Sequence, residues 1–130
     1  MHIKFKLKYL GIILMLISGY FFLYNFSGSL EGHTICIFKN ITGVPCPACG
    51  STRATLQLFH GELWGSILIN PLGVLTNLFI LISIFWMLFD IARSKETFFP
   101  FLIKDWNNKI KIFIVLIVLV NWMWNIEKGL

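Results

Sequence analysis

Three long apolar stretches constrain this chain more than anything else in it. Leu10 to Phe26 and Pro71 to Phe89 contain no charged residue, and Ile110 to Ile126 holds one, Lys111, beside its start. A helix crossing a bilayer needs about 20 mainly apolar residues, within a range of about 17–25, and all three stretches qualify. In lipid the backbone must satisfy its own N–H and C=O groups, so such a stretch folds as a helix. The expected fold is an all-α integral membrane protein with transmembrane helices over about 10–26, 71–89 and 110–126. Composition agrees. Of 130 residues 57% are hydrophobic and 13% charged, where a soluble domain carries about 25% charged.

The formal charge of +5 raises the question of nucleic acid, but the basic residues lie beside the apolar runs, where they act as topology signals. No nucleic-acid partner is expected. Lys4, Lys6 and Lys8 precede the first run, and Arg93, Lys95, Lys104, Lys109 and Lys111 lie in or beside the loop after the second. The other flanks hold only Lys39, Arg53 and Lys128. The positive-inside bias then makes the amino terminus and the 92–111 loop cytoplasmic, and the 27–70 segment and the carboxyl terminus extracytoplasmic. The expected location is the cytoplasmic (inner) membrane, in contact with the lipid bilayer. The first run is followed by Ser27-Gly28-Ser29-Leu30 without an Ala-x-Ala site, so it is expected to stay as an uncleaved anchor. Residues 1–130 form one membrane domain, and the short apolar stretch Phe98 to Ile103 suits the membrane surface.

The polar and sulfur-bearing residues concentrate between the first two spans. Gly43 to Ala54 reads Gly-Val-Pro-Cys-Pro-Ala-Cys-Gly-Ser-Thr-Arg-Ala, with a further cysteine at Cys36. Ser51 or Thr52 is a candidate N-cap for a short interfacial or re-entrant helix over about 51–69. Within it Arg53, Gln57, His60 and Trp64 share a stripe, and Leu56, Phe59, Leu63 and Ile67 form an apolar face. Gly61 and Gly65 permit close packing. Asn70-Pro71 ends this helix and starts the next.

Three chemistries suit the cysteines. The first is zinc. A Cys-Pro-x-Cys-Gly turn aims two thiolates at one centre, and a structural site wants four Cys or His ligands. His33, Cys36, Cys46 and Cys49 supply them, with His60 as a substitute for His33. The second is a redox pair of Cys46 and Cys49, with a thiol pKa lowered by the helix N-terminus and by Arg53, and Cys36 as resolving thiol. The third is a structural disulfide, or inert thiols, stapling a loop. Haem attachment is not expected, because Gly50, not histidine, follows Cys49. Arg53, Gln57 and His60 suit contact with an anion or a lipid headgroup. An arginine paired with Glu62 or Glu31, or exposed in the interface, explains Arg53 equally simply. Asn70, Asn77, Asn121 and Asn125 suit the lining of a polar cavity or, more commonly, interhelical hydrogen bonds. No Ser-His-Asp arrangement, phosphate loop or carboxylate pair is present, so an enzyme is the less expected class.

Cys36, Thr42-Gly43-x-Pro45-Cys46-Pro47-x-Cys49-Gly50-x-Thr52-Arg53-Ala54, Leu58, Gly61 and Asn70-Pro71-Leu72 resemble the small bacterial membrane proteins of the family domain of unknown function 2752. The resemblance covers roughly Cys36 to Phe89. It implies a bacterial integral membrane protein with the cysteine motif at the membrane edge, and implies no particular activity. His33 is not carried by it. The readings for function are thus a membrane module whose cysteines bind zinc or form a disulfide, a membrane thiol–disulfide redox component, and an accessory subunit whose Gly61 and Gly65 helix packs on another membrane protein.

Overall fold

The computed structural model describes residues 2–26 and 36–129. The expected ligand His33, like Glu31 and the small residues after the first span, lies outside the described residues. Those described form helices and turns, with no strand among them. Three helices are long and apolar enough to cross a membrane: α1 (His2–Asn25), α5 (Pro71–Arg93) and α7 (Asn108–Lys128). Between α1 and α5 lie three short ones, α2 (Ile37–Thr42), α3 (Ser51–Phe59) and α4 (Leu63–Ile69), and α6 (Phe98–Ile103) links α5 to α7. At about 1.5 Å per residue the long helices exceed the roughly 30 Å hydrocarbon core. Each also extends beyond the apolar stretch that predicts it, because Lys and Arg continue a helix about as readily as Leu does.

The helix expected over 51–69 is two helices. The chain turns at Gly61, whose φ of 79° is the left-handed conformation that glycine adopts without a Cβ clash. Glu62 N–H then bonds back to Gln57 C=O at 2.9 Å, and Ser66 Oγ donates to Ala54 C=O at 2.6 Å across the hairpin. The apolar period runs on through Gly61, so periodicity alone joins the two. The hairpin packs on α5 at Gly73. A Cβ there would lie 3.2 Å from Ser51 Cα and 3.3 Å from Ala54 Cβ.

Polar pairs fix how the long helices lie. Tyr20 of α1 donates to Asn77 Oδ1 of α5 at 2.6 Å, and Tyr9 donates to Asp90 Oδ2 at 3.4 Å, so α1 runs antiparallel to α5. Asn77 Nδ2 in turn donates to Thr55 Oγ1 of α3 at 2.9 Å, joining three elements at one buried point. Asn121 near the end of α7 accepts from Leu72 N–H near the start of α5 at 3.1 Å, which makes α7 antiparallel to α5 as well. An apolar cleft of about 700 Å³ lies between α5 and α7, lined by Leu75, Phe113, Leu116 and Val120 among others.

At the end away from the cysteines, Asp90 is buried and accepts from Thr97 N–H, Thr97 Oγ1 and Phe98 N–H as well as from Tyr9. This carboxylate holds the start of α6 against α5. A small core of Tyr9, Ile13, Met87 and Phe98 closes over it. Phe21 and Phe85 are each 70% exposed and Val120 66%. Such a surface is costly in water and costs nothing against lipid tails.

Candidate metal centre

The Cys46–Cys49 segment is a tight turn. Cys49 N–H bonds to Cys46 C=O at 3.0 Å, and Ser51 N–H bonds to Ala48 C=O at 3.1 Å. Gly50 follows at φ 85° and stands as the N-cap of α3 with no side-chain cap. The cap expected from Ser51 or Thr52 is therefore absent. Ser51 Oγ instead accepts from Asn70 Nδ2 at 3.2 Å. The turn aims the two sulfurs of Cys46 and Cys49 to 3.2 Å from each other, and Cys46 N–H points at Cys49 Sγ at 3.1 Å. Cys36, at the start of α2, reaches the same place, with its sulfur 3.2 Å from that of Cys46. All three sulfurs lie within 4.8 Å of one another. Cys49 is buried, and Cys36 and Cys46 are half-buried.

The neighbourhood splits the thiols. Cys36 is drawn down to about 7 by its hydrogen bond with Cys49, then by the Lys39 backbone N–H and by Cys46. Burial pushes Cys49 up to about 12, and its hydrogen bonds with Cys36 and Cys46 push the same way. The lowering expected at the helix-flanking thiol pair is therefore reversed at Cys49, where desolvation of the thiolate outweighs the helix N-terminus. The lowered thiol is Cys36, ten residues upstream of the turn.

Supports for the turn come from helices distant in sequence. Asn70, fully buried, donates Nδ2 to Cys49 C=O at 2.9 Å, while its Oδ1 accepts from Gly73 N–H at 3.2 Å and caps α5. Asn121 Nδ2 donates to Pro47 C=O at 3.0 Å. Trp122 Nε1 donates to Pro45 C=O at 2.7 Å. Asn125 Nδ2 lies 3.1 Å from Pro47 C=O and 3.3 Å from the carbonyls of Cys46 and Cys49. A tight turn leaves its carbonyls facing one way with no ladder partner, and a buried carbonyl needs a donor. Here the donors are the amides of Asn70, Asn121 and Asn125 and the indole of Trp122. Asn125 Oδ1 is buried without a partner among the described residues.

Of the residues singled out in the sequence, Cys36, Cys46, Cys49 and Asn70 come together. His60 is exposed in the hairpin turn and does not join the sulfur cluster. Arg53 and Gln57 are half-buried on α3. Gln57 Oε1 lies 3.3 Å, and Glu62 Oε2 3.4 Å, from where a Cβ on Gly65 would stand, so this glycine makes room inside the hairpin. The break at Gly61 parts Trp64 from the stripe of Arg53 and Gln57. Asn121, Trp122 and Asn125 were not singled out as site residues. The signal for them is two asparagines at i and i+4 on one face of an otherwise apolar span.

Three thiolates around one point can hold a soft or borderline cation. Zinc–thiolate bonds of about 2.3 Å put tetrahedral sulfurs roughly 3.8 Å apart, so modest opening of the two 3.2 Å pairs admits an ion. A disulfide needs about 2.05 Å and takes only two of the three sulfurs.

Comparison with known proteins bears on the same segment. Residues 36–84 match the family described as "Protein of unknown function (DUF2752)", so the resemblance carried by the cysteine motif holds from Cys36 into α5. No curated protein and no solved structure matches the chain.

Proposed function

We propose that this DUF2752-containing membrane protein is a metal-binding module. In this reading Cys36, Cys46 and Cys49 hold a zinc-class ion at the membrane edge. The observation that carries it is the convergence of three sulfurs within 4.8 Å of one another. A disulfide pair has no use for the third sulfur. Three protein thiolates leave a fourth position for water or a further ligand, as in sites that keep one position open. The ion also answers the cost of a buried thiolate at Cys49, since a coordinating thiol is deprotonated by the metal's own charge. The bound metal would then pin α2 to the start of α3.

The test is the metal content of the purified full chain, set beside thiol alkylation under native conditions. One ion per chain is expected, with all three thiols protected, and Cys46→Ser loses the ion. Stoichiometric alkylation of the native protein with no metal present overturns the reading.

One observation favours a second reading. Cys46 is 3.2 Å from both other sulfurs, which suits thiol–disulfide exchange centred on it. The Cys46 and Cys49 thiols would be oxidised to a disulfide while a partner's disulfide is reduced to two thiols, a balanced exchange. Equilibration of that pair across a glutathione series, with no metal bound, marks this outcome. We place the cysteine centre on the extracytoplasmic side and the lysine-rich end on the cytoplasmic side, by the positive-inside bias. An accessory role beside another membrane protein has less support, because Gly61 and Gly65 are both used inside the hairpin.

A further inference from the structure

The end of the fold opposite the cysteines is built from α1, the α5–α6 turn and α6. Two clefts open there side by side. One, of about 690 Å³, is lined by His2, Lys4, Lys8 and Lys95 together with Glu96 and Thr97. Its neighbour, of about 400 Å³, is lined by Lys8 and Lys104, again with Glu96, and by Phe99 and Ile103. Lys8 and Glu96 line both, so the two are one basic trough. Lys8 Nζ is set at the divide, 4.0 Å from the centroid of the Phe99 ring.

The charges of this trough are not neutralised from within. The ion pair Lys111–Asp105 lies outside the trough. Asp90, the nearest buried carboxylate, already accepts four hydrogen bonds from Thr97, Phe98 and Tyr9. Four lysines thus line the trough with one acidic residue, Glu96. Beside the lysines the lining is apolar, with Phe5, Phe99, Pro100 and Ile103, and Ile103 is 80% exposed. A small soluble anion would answer the lysines and leave that lining in water. A molecule with an anionic head and an apolar tail answers both.

We propose that this trough holds the phosphate headgroup of an anionic phospholipid, with Lys4, Lys8, Lys95 and Lys104 around the phosphate and the acyl chains along the exposed face of α1 and α6. The α6 helix then lies where headgroups meet hydrocarbon, and the bound lipid ties it to α1. The site is independent of the metal centre at the other end.

The full chain in detergent is titrated with phosphatidylglycerol and with phosphatidylcholine, and retained lipid is counted by native mass spectrometry. Phosphatidylglycerol is expected to bind more tightly. The Lys8→Gln/Lys95→Gln double variant should weaken it about fivefold per lysine removed, and Lys109→Gln/Lys128→Gln should leave it unchanged. All four lysines are solvent-exposed, and unchanged melting confirms that the fold survives. Equal retention of the two lipids, or equal losses in both double variants, overturns the proposal. Displacement by inorganic phosphate at the concentration where phosphatidylglycerol acts would assign the site to free phosphate and overturn it too.

Discussion

Asn70 carries more of the site than any other single side chain. Its carbonyl oxygen caps α5 through Gly73 N–H, and its amide N–H₂ group serves Cys49 C=O and Ser51 Oγ, at zero exposure. Removing it strands a helix start and a turn carbonyl together. Asn70→Ala is expected to cost about 2–4 kcal/mol, the sum of a lost cap and buried groups left without partners. Thermal melting in detergent measures it. Asn70→Asp is the sharper variant. It keeps the acceptor that caps α5 but turns a carboxylate oxygen toward two acceptors, so it should melt early and lose metal. A wild-type melt for this variant would show that the amide is not what holds the turn. No local pattern around position 70 distinguishes this role from an ordinary helix stop before proline. The donor–acceptor match becomes visible only when the turn and the helix start are seen together.

Among the elements, the α3–α4 hairpin and its seat on α5 matter most, because they bring the end of the cysteine turn against the membrane helices. Gly73 is the seat. A methyl group there meets the backbone of Ser51 at 3.2 Å, and backbone yields less than a side chain does. Gly73→Ala is expected to destabilise by about 1–3 kcal/mol, the usual cost of overpacking, with the loss seen as a lower melting temperature. Gly19→Ala, with nothing within 4 Å, is the control and should melt no earlier than the parent. The spans were legible in the sequence because a bilayer demands a run length that about 17 or more residues with at most one charge meet. The hairpin was not, since Leu56, Phe59, Leu63 and Ile67 keep helical spacing across a break that only the positive φ of Gly61 reveals. Likewise the cysteines announced a centre by residue type. Asn121 and Asn125 showed only as two polar residues one turn apart on an apolar span, a pattern that tells of a hydrogen bond and not of the turn that receives it.

On the scale of the molecule, the fold has two unlike ends. Asp90, the basic trough and the eight basic residues of the first flank and the 92–111 loop gather at one, and the thiols with Lys39, Arg53 and Lys128 at the other. The antiparallel pairs Tyr9–Asp90 and Tyr20–Asn77 tie α1 to α5 near both ends, so a half-inserted arrangement would break one or the other. A membrane-impermeant maleimide added to intact cells should label Lys128→Cys above the native chain and leave Lys95→Cys at background. The opposite pattern would invert the orientation while leaving the fold untouched.

The bonds between α7 and the cysteine turn span 74 to 79 positions of chain. A chain is made from its amino end, so the turn is translated and delivered to the membrane well before Asn121, Trp122 and Asn125 exist. Through that interval the Pro45 carbonyl has only water or the insertion machinery to bond, and the Pro47 and Cys49 carbonyls have Asn70 without the amides of α7. The turn that carries the thiols is then without the backbone bonds that the third span supplies. Assembly of the centre is thus a late event in biogenesis, and interruption of synthesis before α7 leaves an inserted protein with its cysteines present but unsupported.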